Sequence, residues 1–193
     1  TNRGGHYEVA AINPDGSNLR IVASAPDQDD WLLPRFSGGG QLSVVGMKAP
    51  ALLDATMWPP RFVATLPPID DTQQRFWPLV WSPDHATVAG MAQSNTGGLQ
   101  PDVILYRPAT RQYQRIKGAG LVIGWLPDGK RLLVSFGRFY VLELDTQRPT
   151  LAAPWPAPPT LAFAPALSRD GKTLFYAATT TDAGGGRLAI AVP

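Results

Sequence analysis

His6 and His85 are the only histidines in the 193-residue chain, and it has no cysteine. A metal centre or an acid–base pair needs histidines, thiolates or carboxylates at a recognisable ligand spacing, which two widely separated histidines do not provide. The missing thiols remove disulfides, thiolate ligands and cysteine nucleophiles together. Ser82, in Trp81-Ser82-Pro83-Asp84, lacks the Gly-x-Ser-x-Gly frame of a nucleophile elbow and reads as a turn hydroxyl. Asp15, Asp84, Asp128 and Asp170 each fall in or beside a corner, where a carboxylate accepts backbone N–H groups. That reading is preferred to a glycosidase pair or a calcium loop, for which the spacing is absent. The glycine runs lack the Lys-Ser/Thr ending of a phosphate loop. No catalytic residue, metal ligand or cofactor is assigned.

Aromatic side chains carry what binding chemistry remains. Of six tryptophans, Trp81 and Trp125 occupy equivalent positions in two similar segments and are assigned to packing between repeats. Trp31, Trp58, Trp77 and Trp155 lie nearer segment boundaries. Trp58 in "MWPPR" and Trp155 in "PWPAPP" are the candidate partner-binding residues, because a rigid ring with one polar handle contributes strongly to interfaces. The proline run around Trp155 is read as a stiff connector rather than a polyproline ligand.

A repeated unit must position these residues. "FSGGGQLSVVG" from Phe36, "WSPDHATVAGM" from Trp81, "WLPDGKRLLVS" from Trp125 and "LSRDGKTLFYA" from Leu167 start 45, 44 and 42 residues apart. This period suits four-stranded propeller blades. Each copy is an apolar strand ending in an anchor residue (Phe36, Trp81, Trp125 or Leu167), a turn, and a second apolar strand. In the last three the turn carries Asp84, Asp128-Gly129 or Asp170-Gly171. Glycine accepts positive φ there without a Cβ clash. His85 stands in the glycine's place, so its turn is expected to be strained or of another type.

Seventeen candidate strands follow. Residues 1–26 form the outer pair of a preceding blade, 31–73, 76–117 and 121–154 are full blades, and 161–193 is an incomplete one, all within a single propeller domain. The stretch "QSNTGGLQP" reads as a long exposed loop, and Pro59-Pro60 fits a turn or outer edge. A closed four-bladed ring would leave one strand over, which favours part of a larger ring of roughly six to eight blades, completed by a longer parent or another chain. The composition agrees with a sheet protein of many corners, with 44% hydrophobic and 17% charged residues, 19 glycines and 20 prolines. The formal charge of +2 comes from scattered basic residues and gives no nucleic-acid footprint. No apolar stretch reaches the length of a membrane-spanning helix. The chain begins at Thr1, so the absence of a targeting signal carries little weight for compartment.

"WSPDH", "WLPDGK" and "LSRDGK", with the outer-strand pattern "YEVAAINPDGSNLRIV", resemble the WD40-like β-propeller repeat of TolB and related bacterial proteins. "SGGGQ" and His85 are departures from that pattern. The resemblance implies an all-β propeller of four-stranded antiparallel blades, a periplasmic or other extracytoplasmic location, and protein or peptide partners. Similar repeats occur in multidomain proteins beside catalytic or signalling domains. The functional expectation is a non-enzymatic interaction or sensor scaffold presented on a propeller rim. The alternatives are the gating propeller of a peptidase-like hydrolase and a carbohydrate-binding propeller.

Overall fold

The structure, a computed structural model, describes residues 5–25, 29–70, 73–94, 98–136, 138–152, 162–179 and 186–191. Its regular elements there are seventeen β-strands. A ribbon of β1 (Val9–Ala11) and β2 (Arg20–Ala23) comes first. Three four-stranded sheets follow in chain order. The first holds β3 (Trp31–Phe36), β4 (Gln41–Gly46), β5 (Ala51–Asp54) and β6 (Arg61–Thr65). The second holds β7 (Arg75–Trp81), β8 (Val88–Gln93), β9 (Leu99–Arg107) and β10 (Gln112–Ile116). The third holds β11 (Leu121–Trp125), β12 (Arg131–Ser135), β13 (Phe139–Glu143) and β14 (Arg148–Leu151). A three-stranded sheet of β15 (Ala162–Leu167), β16 (Leu174–Thr179) and β17 (Gly186–Ala191) closes the order. These sheets are the blades of a partial β-propeller.

In the three four-stranded sheets, burial falls from the second strand to the last. The second strands β4 and β8 are buried along nearly their whole length, so both of their faces are covered. The last strands β6 and β14 are largely exposed. Strand alternation divides β5 between two cores: Ala51 and Leu53 join Val9, Val22, Trp31, Leu42 and Val44, whereas Leu52 joins Leu66, Phe76, Val88, Ala92, Ile104 and Tyr106. Trp31 also stacks on Phe62, with ring centroids 6.2 Å apart. Two compact units result, Thr1–Gln100 with Ile104–Gln114, and Pro101–Val103 with Arg115–Pro193.

The first strand of every blade carries a register shift two or three residues before its anchor, between Leu32 and Arg35, Pro78 and Val80, Val122 and Gly124, and Phe163 and Ala166. A bulge frees backbone groups from the ladder and gives proline a tolerated place in a strand, as at Pro34 and Pro78. In the first unit the freed groups join neighbouring blades. Arg35 Nε donates to the Leu79 carbonyl at 2.9 Å, and the Trp81 indole N–H donates to the Arg35 carbonyl at 3.1 Å. In the second unit Leu167 takes the corresponding position against Gly124 of β11, where an added Cβ would lie 3.3 Å from the leucine Cβ.

The four β-turns after the anchors share one geometry. The N–H of Gly40, His85, Gly129 or Gly171 donates to the carbonyl three residues earlier, and all four residues have positive φ, between 62° and 81°. His85 therefore keeps the turn type and accepts the strained backbone, the first of the two expected outcomes. The long loop expected over 93–101 is shorter in the structure. β8 runs to Gln93 and β9 starts at Leu99, because Ser94 and Gly98 close a hairpin through Ser94 N–H to Gly98 O at 2.8 Å. Pro59 and Pro60 lie in the loop between β5 and β6, outside the ladder.

The two departures from the repeat pattern fit one another. A Cβ on Gly38 would stand 2.6 Å from His85 Cε1, and one on Gly39 would stand 2.9 Å from His85 Cβ. Glycines in one turn thus make room for the imidazole of the next. In the second unit the same contact is made with sizes reversed, where Pro127 occupies the position of Gly38 and Gly171 that of His85, and a Cβ on Gly171 would stand 2.4 Å from Pro127 Cδ. Gly39→Ala, whose Cβ would meet the His85 Cβ rather than the free end of its ring, is expected to destabilise the chain by about 1–2 kcal/mol and to cost much less in a His85→Gly background. Urea unfolding of the four proteins measures the coupling. Additive effects would show that the two turns do not share this space.

Candidate binding surface

The β5 and β6 register pairs Asp54 with Arg61, and the β4 and β5 register pairs Gln41 with Asp54, so the 37–40 turn and the 55–60 loop emerge at one end of the first blade. Ala55 N–H donates to Gly40 O at 2.7 Å and ties them together. The β1–β2 ribbon brings its own turn to this end. Ala11 pairs with Arg20, which leaves Ile12 and Leu19 as the next positions across that turn. The Arg20 guanidinium lies 4.3 Å from the centroid of the Trp58 ring. Ile12, Leu19 and Met57 are exposed, and Trp58 keeps 50% of its surface accessible. This surface lies wholly within the first unit.

Turn carboxylates frame the loops. Asp15 accepts from the Ser17 hydroxyl and N–H at 2.7 and 2.9 Å, and Asp54 accepts from the Thr56 hydroxyl and N–H at 2.5 and 2.9 Å. Asp84 and Asp170 repeat the pattern with the hydroxyls of Ser82 and Ser168 and the N–H groups of Ala86 and Lys172. In each case the hydroxyl, followed by the N–H, holds the carboxyl below its usual range. At Asp128 burial works in the opposite direction, but the Lys130 N–H and the Arg131 side chain prevail and the carboxyl is again lowered. These groups stay ionised in neutral solution and hold their own corners. A general acid needs the reverse, a carboxyl raised toward neutrality. Ser82 Oγ accepts the Thr87 N–H at 2.9 Å and donates to Asp84, which occupies it as a turn hydroxyl. Among the described residues no three of His, Asp and Glu gather as a metal site would require.

The other singled-out residues are dispersed. Trp31 is buried, and the Trp77 indole donates to Gln93 Oε1 at 3.0 Å. Trp125 is half-buried in β11, opposite Leu132. Trp155 lies outside the described residues. Phe36 is 63% exposed at the end of β3. Anchors such as Trp81 and Leu167 rest on the first strand of the preceding blade, and the described ribbon before β3 has no such strand to receive Phe36. Phe36 ends β3 and belongs to neither the β1–β2 turn nor the 55–60 loop, so it is left out of the candidate surface. Arg20 was not singled out by sequence, since its neighbour Trp58 is distant along the chain and no spacing rule joins them. Asp29 was also missed. It is a buried carboxylate that accepts the Lys48 N–H at 3.0 Å and the Ala49 N–H at 3.4 Å, and it fixes the turn after β4.

No family model and no curated protein matches the chain. Solved structures do. TolB from Acinetobacter baumannii superposes with a TM-score of 0.67 at 18% identity, over 95% of this chain and 45% of that one. A TolB-type structure from Agrobacterium tumefaciens gives 0.63 at 18% identity, over 93% and 62%. Hydrazine synthase from Kuenenia stuttgartiensis gives 0.55 at 16% identity, over 82% and 45%. The chain thus spans less than two thirds of the length of each of these structures. Similarity at this level of identity establishes a fold, and the fold is a β-propeller like that of the TolB structures.

Proposed function

We propose that the chain is a non-enzymatic interaction scaffold that binds a protein or peptide segment on the rim formed by the β1–β2 turn and the 55–60 loop. The observation that carries this reading is the grouping of exposed Ile12, Leu19, Met57 and Trp58 on turns that a packed sheet holds in place. Exposed apolar clusters on a rigid frame mark interaction sites, and buried tryptophan is a frequent energetic centre of an interface. The fold similarity to TolB structures supports an extracytoplasmic scaffold whose remaining blades belong to a longer parent.

A displayed random dodecapeptide library panned on the immobilised full chain tests the reading. A consensus is expected, with binding weakened at least 10-fold by Met57→Ser or Trp58→Ala while the circular dichroism spectrum is unchanged. Failure to enrich any consensus, or binding that neither substitution affects, would reject the rim as the site.

A further inference from the structure

We infer that Arg20, held over the Trp58 ring, makes this rim selective for an acidic peptide segment, with a carboxylate beside large apolar side chains. The inference rests on the rim reading above and adds to it the chemistry of the ligand.

Arg20 is exposed and belongs to the edge strand β2, and its guanidinium lies over the Trp58 ring at 4.3 Å. No carboxylate among the described residues forms an ion pair with it. The aspartates on the neighbouring turns are committed elsewhere, Asp15 to Ser17 and Asp54 to Thr56. Among the described residues, Arg20 is therefore a cation held against a ring with no carboxylate paired to it. A guanidinium carries five N–H donors in a planar fork, and those not turned to the ring are available to receive both oxygens of a carboxylate. Contact with the ring also restricts a long side chain before the ligand arrives, which reduces the ordering required on binding.

The surrounding side chains decide between ligand classes. Arg20 pairs with Ala11, Ile12 and Leu19 are the next positions toward the turn, and Met57 precedes Trp58. Aliphatic and thioether groups give nothing to sugar hydroxyls, which need several placed donors and acceptors, but they match leucine or aromatic side chains of a peptide. A single guanidinium among scattered basic residues also falls short of the multiple phosphate contacts that nucleic acid requires. An acidic and apolar peptide meets both halves of the surface.

The test uses the peptides that the panning enriches, each resynthesised with its acidic residues changed to the matching amide, Glu to Gln and Asp to Asn. Fluorescence anisotropy measures both forms against the full chain, Arg20→Gln, Arg20→Lys and Trp58→Ala. Enriched sequences are expected to carry Asp or Glu beside Leu, Phe or Trp. The amide forms are expected to bind at least 10-fold more weakly to the natural chain and equally to Arg20→Gln. Arg20→Lys should recover only part of the preference, because an ammonium lacks the planar fork. Raising NaCl from about 50 to about 300 mM should weaken the acidic form and spare the amide. Enriched peptides that lack an acid, or whose amide forms bind as well, would overturn the selectivity and leave the rim reading intact. Failure to enrich any peptide would overturn both. The substituted side chains are exposed, and thermal unfolding at an unchanged midpoint separates lost binding from lost folding.

Discussion

Gly90→Ala is expected to lower the stability of the chain by about 3 kcal/mol, more than any exposed substitution discussed above. Gly90 pairs with Pro78 beside the bulge of β7. The Trp77 carbonyl turns toward it so closely that an added Cβ would stand 1.8 Å from that oxygen and 2.8 Å from Phe76 Cε2. The first contact is with backbone, which cannot swing aside as the end of a side chain can. Accommodation requires β7 and β8 to separate in a fully buried part of the blade. The shift of the urea unfolding midpoint, read with the slope to confirm that the same surface unfolds, measures the effect. A change below about 1 kcal/mol would mean that the bulge is not as close to β8 as described.

The second large effect separates two phenylalanines of first strands, Phe76 of β7 and Phe36 of β3. Phe76→Ala is expected to cost about 3–5 kcal/mol, whereas Phe36→Ala should stay within about 0.5 kcal/mol. Phe76 is fully buried, meets Tyr113 edge-on with centroids 5.5 Å apart, and packs with Val88, Ile104 and Tyr106. The Tyr113 hydroxyl donates to the Pro67 carbonyl at 2.9 Å, which fixes the ring that Phe76 leans on. Phe36 ends β3 with most of its surface in solvent. Equal losses at the two positions would show that Phe36 is covered, and would contradict the exposure seen in the structure.

The repeat was legible because its signals are local. An anchor residue, a turn and an apolar strand lie within about a dozen residues, and turn chemistry fixes register without knowledge of the rest of the chain. The Ser94 to Gly98 hairpin was less legible because Ser, Asn, Thr and Gly make a tight hairpin and a loose loop look alike. The environment of His85 depends on what the neighbouring blade presents. His85 looks like a defect until Gly38 and Gly39 are found beside it. Trp58 was legible as an aromatic beside prolines, but its juxtaposition with Arg20 depends on the seating of the β1–β2 ribbon. Residue spacing carries no record of that contact.

Nuclear magnetic resonance mapping of the 15N-labelled chain with an enriched peptide tests the central claim, a binding rim on the first unit, most directly. The account predicts that shift changes gather at residues 12–20 and 55–60, including the Trp58 indole N–H and the Arg20 Nε–H, and that the buried amides of β4 and β8 hold still. Changes confined to other turns, or spread through the cores without a focus on these two loops, would contradict it.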